Sequence, residues 1–193
     1  YWSLISMLLR LLPILPKARV WIRRTLGETL ERAVAVSTFG FKRLGQYYPD
    51  DLLESTKVVL TAEVPVPPLA EWGLNRASLL EPQQTRGITF HDTFFVRSNE
   101  KANESLFFHE MVHVVQWQEL GLNRYLALYG VGLAQHGYRN SPLEVMAYDL
   151  QVAFDDPNIP AFNALARTHT RTDQLLEQFR RSSLVNRLAL KFL

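Results

Sequence analysis

The sequence predicts a mostly helical α+β protein with a small β-sheet beside one long helix. Residues 103–120, with a candidate cap at their first residue, are the clearest helix in the chain. Residues 57–64 are rich in β-branched side chains and predict a strand. Residues 87–90 and 93–97 predict two more short strands, joined by a His-Asp dipeptide as a hairpin. We expect these strands to form the small sheet beside the helix.

The other elements are predicted from apolar spacing and from residues that start or stop helices. Residues 17–45 are expected to form an amphipathic helix. Asn103 is a candidate cap for the helix over residues 103–120, and Gly121 is expected to end it. Further helices are predicted over residues 124–135, from the Ser141-Pro142 pair to residues 155–157, and over residues 160–191.

The 193-residue chain has the composition of an ordinary soluble domain, with 47% apolar and 21% charged residues. It contains no cysteine, which excludes disulfide bonds and cysteine-ligated zinc sites. The length fits one domain with helical appendages. We expect the domain over residues 46–158, a basic amphipathic segment over residues 1–45, and a helical segment over residues 159–193 that packs on the domain.

The formal net charge of +2 hides an uneven distribution. Basic residues exceed acidic ones by six in residues 1–45 and by four in residues 159–193, whereas acidic residues are eight in excess between them. We expect the basic ends to pair with the acidic middle of the same chain, and contact with an anionic membrane surface is the alternative. Nucleic-acid binding is not expected, because no recognition motif or aromatic platform accompanies the basic residues.

The first 16 residues are strongly apolar but are interrupted by Arg10, Pro13 and Pro16. A membrane-spanning helix needs roughly 20 consecutive apolar residues. We therefore expect a short helix that packs on the domain or on a partner. An interfacial helix or part of a membrane span is the alternative.

The chemistry-bearing motif is His-Glu-Met-Val-His at residues 109–113, within the predicted helix. Side chains at positions i and i+4 share one helix face, so His109 and His113 can reach the same metal ion. Glu110 is rotated by about 100° from His109, which places its carboxylate beside the metal, where it can accept a proton from metal-activated water. A surface helix with two incidental histidines is the alternative. The apolar residues around the motif argue against it, because buried histidines and a buried glutamate need partners.

A catalytic zinc site needs a third protein ligand, and the sequence leaves two main positions open. Glu119 follows on the same helix but would point about 120° away from His113 if the helix continues. Glu144 follows after a separation that allows a turn, a short helix and a return. Glu144 also completes the pattern Ser141-Pro-Leu-Glu, a capping box in which its carboxylate would bond the cap amide. The residues alone support a ligand and a cap about equally.

The stretch from residue 87 to residue 150 resembles the gluzincin branch of the zincin metallopeptidases, and most closely the small bacterial DUF4157-type domains. The resemblance rests on the segment His-Glu-Met-Val-His-Val-Val-Gln that starts at His109, and on Asn-Ser-Pro-Leu-Glu-Val-Met-Ala-Tyr, which contains Glu144. It implies a zincin-like fold, Zn²⁺ bound by His109, His113 and Glu144, and Glu110 as general base. The implied reaction is hydrolysis of a peptide or protein substrate.

The chain departs from the pattern of this family at Met146 and Tyr148. The family often has acidic residues at these two positions, and the second of them can orient a ligand histidine. We expect Tyr148 or the adjacent Asp149 to take that role here. These departures favour a binding or latent module with little catalysis as the alternative function.

Two further roles follow for a peptidase of this kind. Tyr138 is the candidate donor to the oxyanion, and its neighbours His136 and Arg139 are alternatives. An extended substrate is expected to pair with strand 93–97, through Thr93, Phe95 and Arg97. A plain core strand is the alternative there. The resemblance points to a bacterial protein, cytoplasmic or membrane-associated.

Overall fold

The computed structural model describes residues 13–73 and 85–182 of the chain. This part of the chain is α+β and mostly helical, as predicted. In chain order its elements are α1 (Ile14–Thr29), β1 (Val34–Ala35), α2 (Asp50–Ser55), β2 (Lys57–Thr61), β3 (Gly87–Phe90), β4 (Thr93–Arg97), α3 (Glu104–His136), α4 (Pro142–Asp155) and α5 (Ala164–Ser182). Short 3-10 helices cover Leu30–Arg32, Val36–Phe39, Leu44–Gln46 and Ser98–Glu100.

The four strands form one mixed sheet in the order β1-β2-β4-β3. Strands β2 and β4 are parallel, with Val59 opposite Phe95, and β3 and β4 form the predicted antiparallel hairpin, with Phe90 opposite Thr93. Strand β4 is therefore an interior strand, and four of its five residues are buried. Strand β3 lies at the edge of the sheet among the described strands, and it contacts α3.

Helix α3 is the central element of the fold. It begins where predicted, because the Asn103 side chain accepts a 3.0 Å hydrogen bond from the amide of Leu106. The predicted end of the first helical segment at Gly121 is confirmed, since Gly121 has φ 68° and ψ 170°, and a second helical segment follows this kink up to His136, as predicted. This backbone conformation is accessible almost only to glycine. The kink turns the second half of α3, which carries Tyr129, relative to the half that carries the histidines.

Helices α4 and α5 pack on α3, and helix α1 packs on β3 and the second half of α3. Phe108 of α3 stacks on Phe154 of α4, with ring centroids 4.4 Å apart. Trp21 of α1 meets Phe90 of β3 edge-on at 5.4 Å, and Ile22 is buried in the same apolar cluster. Side chains from the N-terminal segment therefore share a core with the metal-motif helix.

The N-terminal helix is shorter than predicted. It ends at Thr29, whereas the apolar spacing predicted a helix over residues 17–45. The reason is a non-local partner: Val34 and Ala35 pair with Val58 and Lys57 of β2, which draws the chain out of the helix. Strand β2 ends at Thr61, three residues before the predicted end.

In the C-terminal half, the observed helices agree more closely with the predicted ones. Helix α4 begins with Pro142 at its first position after Ser141, as predicted. Helix α5 covers residues 164–182 of the region predicted as one or two helices. The predictions for residues 1–12, 74–84 and 183–193 lie outside the described residues. No helix within residues 13–73 and 85–182 is both long and apolar enough to cross a membrane.

Candidate metal centre

Helix α3 brings His109 and His113 together one turn apart on its buried face. Both side chains are 4% exposed, and their Nε2 atoms are 3.2 Å apart. The helical i, i+4 spacing places both residues on this face.

Glu144 reaches the two histidines from α4. Its Oε2 lies 3.5 Å from Nε2 of His109, and its Oε1 lies 3.5 Å from Nε2 of His113. Oε1 accepts a 2.9 Å hydrogen bond from the hydroxyl of Tyr129, whereas Oε2 is buried and has no hydrogen-bond partner among the described residues. The Ser141 side chain makes no capping hydrogen bond. The capping-box alternative for Glu144 is therefore wrong, because its carboxylate faces the histidines.

Gln116 fixes the ring of His113. Its Nε2 donates to the carbonyl of Leu143 at 3.0 Å, so its Oε1 is the atom that faces Nδ1 of His113, at 2.8 Å. Nδ1 must then carry the proton, and Nε2 of His113 presents its lone pair toward Glu144. Gln116 is completely buried, and it links the histidine helix to the helix that carries Glu144.

Gln151 fixes the ring of His109 in the same way. The Ser105 hydroxyl donates to Asp155 at 2.7 Å and accepts from Nε2 of Gln151 at 2.8 Å. Oε1 of Gln151 therefore faces Nδ1 of His109, at 3.0 Å, and accepts its proton. Both histidines are held in the tautomer that leaves Nε2 free for a ligand.

The expected orienting residues, Tyr148 and Asp149, do not take this role. Asp149 accepts a hydrogen bond from Arg171 of α5 at 2.7 Å, so the prediction for Asp149 is wrong. Tyr148 touches the site differently, since its ring packs against the ring of His109 with centroids 4.6 Å apart. Gln151, three residues further along α4, takes the hydrogen-bonding position because it lies on the helix face toward α3.

The donor set fits a metal ion. One ligand atom from each of His109, His113 and Glu144 lies within 4.8 Å of the others, and all three residues are buried. Their lone pairs converge in a site shielded from solvent, which is unfavourable unless a cation lies between them. Two imidazole nitrogens and one carboxylate are a ligand set that suits zinc.

A proton serves as that cation in the metal-free protein. Burial alone lowers the pKa of His113, but the Glu144 carboxylate, Glu110 and the Gln116 hydrogen bond raise the pKa to about 9. Burial alone raises the pKa of Glu144, but the two histidines outweigh it and hold that pKa far below its usual range. Metal binding must therefore displace a proton from this cluster.

Glu110 lies beside the cluster and is 3% exposed. Its Oε2 accepts a 2.7 Å hydrogen bond from the Thr89 hydroxyl of β3. A Cβ atom at Gly87 would lie 2.4 Å from Oε1 of Glu110, so the close approach of β3 to this carboxylate requires glycine. Burial raises the pKa of Glu110, and the nearby histidines and the Thr89 hydroxyl partly offset that rise. A carboxylate with a raised pKa is suited to take up and return a proton.

A cavity of about 110 Å³ extends from Glu110, His113 and Glu144 to helix α1; we call it the apolar cavity. Tyr138 lines it together with these three residues. Burial and the charge of Glu144 raise the pKa of the Tyr138 phenol, so its hydroxyl keeps its proton and can donate a hydrogen bond. Tyr138 therefore lies near the candidate centre, and its role as an oxyanion donor stays a prediction.

The predicted substrate strand is not an edge strand. Strand β4 pairs with β2 on one side and β3 on the other, so the prediction that it pairs with a substrate is wrong. The Thr93 hydroxyl donates to Asp92, Phe95 is buried in the core, and Arg97 donates to the carbonyl of Thr85. None of Thr93, Phe95 and Arg97 lines the apolar cavity.

Strand β3 is the element beside the metal centre. Arg97 donates to the carbonyl of Arg86, so the alternation of an antiparallel pair turns the backbone groups of Gly87 and Thr89 away from β4. The outward carbonyl of Thr89 accepts a 3.1 Å hydrogen bond from the indole of Trp117. The prediction that strand 93–97 has a free edge for a substrate was wrong because strand order in a sheet depends on non-local pairing.

Glu119, the alternative third ligand, lies outside the centre, because it forms an ion pair with His169 of α5. The ring of His91 packs on Trp117, with centroids 4.8 Å apart. Arg139 lies over the ring of Tyr148, 5.9 Å from its centroid.

Several residues of the site were missed by sequence reasoning, namely Thr89, Gln116, Tyr129 and Gln151. The contact of Gln116 with His113 could have been predicted from the sequence, since Gln116 lies three residues after His113 on the same helix face. The other three had none, because their contacts join separate elements.

No family model, no curated protein and no solved structure matches this chain.

Proposed function

We propose that the protein is a zinc-dependent metallopeptidase in which His109, His113 and Glu144 hold the ion and Glu110 is the general base. The observation that carries the proposal is the convergence of three buried lone-pair donors, within 4.8 Å of one another, next to a buried carboxylate of raised pKa. A surface site that only binds a metal ion would need neither a buried carboxylate beside it nor histidines held in one tautomer.

Zinc bound here would polarise a substrate carbonyl and lower the pKa of its water toward ~7. Glu110 then holds the proton taken from that water, and the Thr89 hydroxyl orients its carboxylate through the 2.7 Å hydrogen bond. Glu110 returns the proton to the amine that leaves. Its raised pKa favours both transfers, because the pKa lies closer to neutral pH.

Tyr138 and β3 supply the other two requirements of amide hydrolysis. The protonated Tyr138 hydroxyl lines the same cavity as Glu110 and can donate to the developing oxyanion. The outward backbone of β3 at Gly87 can pair with an extended peptide, which places the scissile bond near Glu110.

A second candidate is a latent or partner-binding domain. It is favoured by the burial of the centre, since His109, Glu110, His113 and Glu144 are all at most 4% exposed. Helix α1 lines the apolar cavity through Ile14, Ala18 and Ile22, so it occupies space beside the centre. A possible membrane-surface contact through residues 1–45 is compatible with either candidate.

Zinc content and peptide cleavage, measured on the same preparations, test both candidates. We expect about one zinc per chain in the parent protein and in Glu110→Gln, and loss of zinc in His113→Ala and Glu144→Ala. Glu119→Gln is the matched control, because Glu119 pairs with His169 instead of facing the centre. Cleavage of a peptide library should fall by about 10²- to 10⁴-fold in Glu110→Gln.

Each outcome separates the candidates. A parent protein that binds no zinc even when zinc is supplied would contradict both the metal site and the peptidase. Zinc binding without cleavage of any peptide would favour the latent or binding domain. Retention of zinc by Glu144→Ala would remove Glu144 from the ligand set.

A further inference from the structure

Helix α1 has an exposed face that combines cations with an apolar side chain. Ile22 is buried on the inner face, with 2% of its surface exposed. Lys17, Val20, Arg23 and Arg24 are all exposed, and their spacing of three to four residues places them on the opposite side of the helix. Val20 is 69% exposed although it is apolar. We call these four residues the outer face of α1.

The outer face borders a groove of about 440 Å³ that opens to solvent. The groove is lined by Pro16, Lys17, Val20, Trp21, Arg24 and Trp72. Both tryptophans are partly buried, and Trp21 is held in place by its edge-on contact with Phe90 of β3. None of the described residues that line the groove is acidic. The groove therefore offers two cations and two indole rings side by side.

The positive charge of this helix is only partly neutralised by the protein itself. Residues 13–32 carry five basic and two acidic residues. Arg24 forms an ion pair with Glu28 at 2.7 Å. Lys17 and Arg23 form no ion pair with any residue in ranges 13–73 and 85–182. Both are thus available to an anionic partner.

The sequence next to α1 favours a lipid partner over a protein or nucleic-acid partner. Apart from two serines and Arg10, residues 1–12 are all apolar, and they lead directly into α1. Basic residues interspersed with apolar and indole side chains are typical of segments that lie in the interface of an anionic bilayer. A symmetric contact with a second copy is disfavoured, because it would bring the cations of the two outer faces together.

We propose that the outer face of α1 and the adjoining groove bind the surface of an anionic lipid bilayer. Lys17 and Arg23 contact the anionic headgroups, Val20 enters the interface, and Trp21 and Trp72 lie at the level of the headgroups. The inference is independent of the proposed function, since it involves neither a metal ligand nor Glu110. Because both tryptophans also line the apolar cavity, the bilayer lies next to that cavity.

Co-sedimentation of the whole chain with vesicles tests the proposal. The vesicles consist of phosphatidylcholine alone or with about one third phosphatidylglycerol, at low and at high salt. We expect the partition coefficient to be at least about tenfold higher for the anionic vesicles at low salt, and to fall when salt is added.

A charge variant tests the two unpaired cations. Lys17→Gln/Arg23→Gln should lower the partition coefficient for anionic vesicles by about 10- to 30-fold, the loss expected when two basic residues leave the membrane surface. Lys101→Gln/Arg167→Gln is the matched control, because it removes the same charges from exposed positions outside α1. This control should bind within about twofold of the parent protein.

A second variant tests the apolar part of the outer face. Val20→Glu should lower the partition coefficient at least about tenfold, because it replaces an apolar side chain by an anion. Val152→Glu is the matched control, since Val152 of α4 is 68% exposed and receives the same change. All four variants should unfold at the temperature of the parent protein, because every substituted side chain is exposed. Thermal unfolding followed by circular dichroism checks this.

Each outcome supports or overturns the proposal. Loss of binding in both variants of the outer face, with retention in both controls, supports it. Equal binding to both kinds of vesicle, or binding that both outer-face variants keep, would overturn it. Absence of vesicle binding, together with a dimer that Val20→Glu dissociates in analytical ultracentrifugation, would overturn it and assign the outer face to a second copy of the chain.

Discussion

At the residue scale, the position of Glu110, the proposed general base, depends on a glycine in the neighbouring strand. Gly87 allows β3 to approach Glu110 so closely that a Cβ atom would lie 2.4 Å from Oε1. That strand also provides Thr89, which holds the other carboxylate oxygen. The position of the Glu110 carboxylate is therefore sensitive to a change in a residue that has no side chain.

Gly87→Ala should displace the Glu110 carboxylate and lower peptide cleavage by about 10²-fold, as expected when a general base is moved by about an ångström. Zinc content should stay near that of the parent, because His109, His113 and Glu144 are not displaced. Gly45→Ala is the control, since a Cβ atom there meets nothing within 4 Å. Steady-state kinetics and metal analysis measure the two effects, and unchanged cleavage in Gly87→Ala would exclude Glu110 as the base.

The amides of Gln116 and Gln151 are a second residue-level feature. Each accepts the Nδ1 proton of one histidine and is itself oriented by a donor contact to the protein. Because both amides are neutral, Glu144 carries the only negative charge among the three proposed ligands. The histidine nitrogens thus gain a fixed direction without gaining charge.

Gln151→Leu should weaken zinc binding by about 10- to 100-fold, the usual effect of losing such a contact. Gln151→Glu should restore the affinity or exceed that of the parent, because a carboxylate can accept the same proton and adds negative charge. Competition with a chelator of known affinity measures both. Equal affinity in Gln151→Leu and the parent would show that the contact does not orient His109.

At the element scale, helix α1 connects the N-terminal segment to the candidate metal centre. It forms one end of the apolar cavity and packs through Trp21 on Phe90 and through buried Ile22. A hydrogen bond from Arg19 to Asn123 links it to α3 just after the Gly121 kink. The predicted helix over residues 17–45 would have continued past this position, and its end at Thr29 frees Val34 and Ala35 to extend the sheet.

Loosening α1 should speed the removal of zinc. Ile22→Ala deletes a side chain that is 2% exposed and should weaken the packing of α1 by about 2–5 kcal/mol. We expect the rate of zinc loss to a small chelator to rise at least about tenfold if α1 opening limits it. Val20→Ala on the exposed face is the control. An unchanged rate in Ile22→Ala would mean that α1 does not gate the centre.

At the scale of the whole molecule, the metal centre makes the stability of the fold depend on pH. The pKa of His113 is about 9 in the folded metal-free protein, against 6.5 for an unperturbed histidine. The folded state therefore binds this proton more tightly than the unfolded state does. The stabilisation is complete below pH 6.5 and is lost as the pH rises through 9.

Denaturant unfolding of the metal-free protein should show this loss. The free energy of unfolding should fall by on the order of 2–3 kcal/mol between pH 6.5 and pH 9.5, because His113 gives up its proton there. In His113→Gln, the free energy of unfolding should not show the part of this decrease that is due to His113. The zinc-loaded protein should lack it as well, since the metal has already displaced the proton. The same pH slope in His113→Gln and the parent would contradict the assignment to His113.

The sequence by itself determined the features that local geometry controls. Helical periodicity places His109 and His113 one turn apart, Asn103 caps their helix, and Ser141-Pro142 starts α4. The hairpin of β3 and β4 also follows from neighbouring residues. Each of these depends on contacts between residues only a few positions apart, so the residue types and their spacing suffice to predict them.

Only the tertiary structure decided the features that join distant elements. Ser141 and Glu144 satisfy a capping pattern, yet packing of α4 on α3 turns the carboxylate toward the histidines. The same packing places Gln151, 42 residues from His109 in the sequence, in contact with His109 in place of the expected Asp149. Sheet order makes β3 and not β4 the edge strand, and α1 contributes to the lining of the cavity. The physical reason is that side-chain partners across elements depend on packing and register, which local residue spacing does not specify.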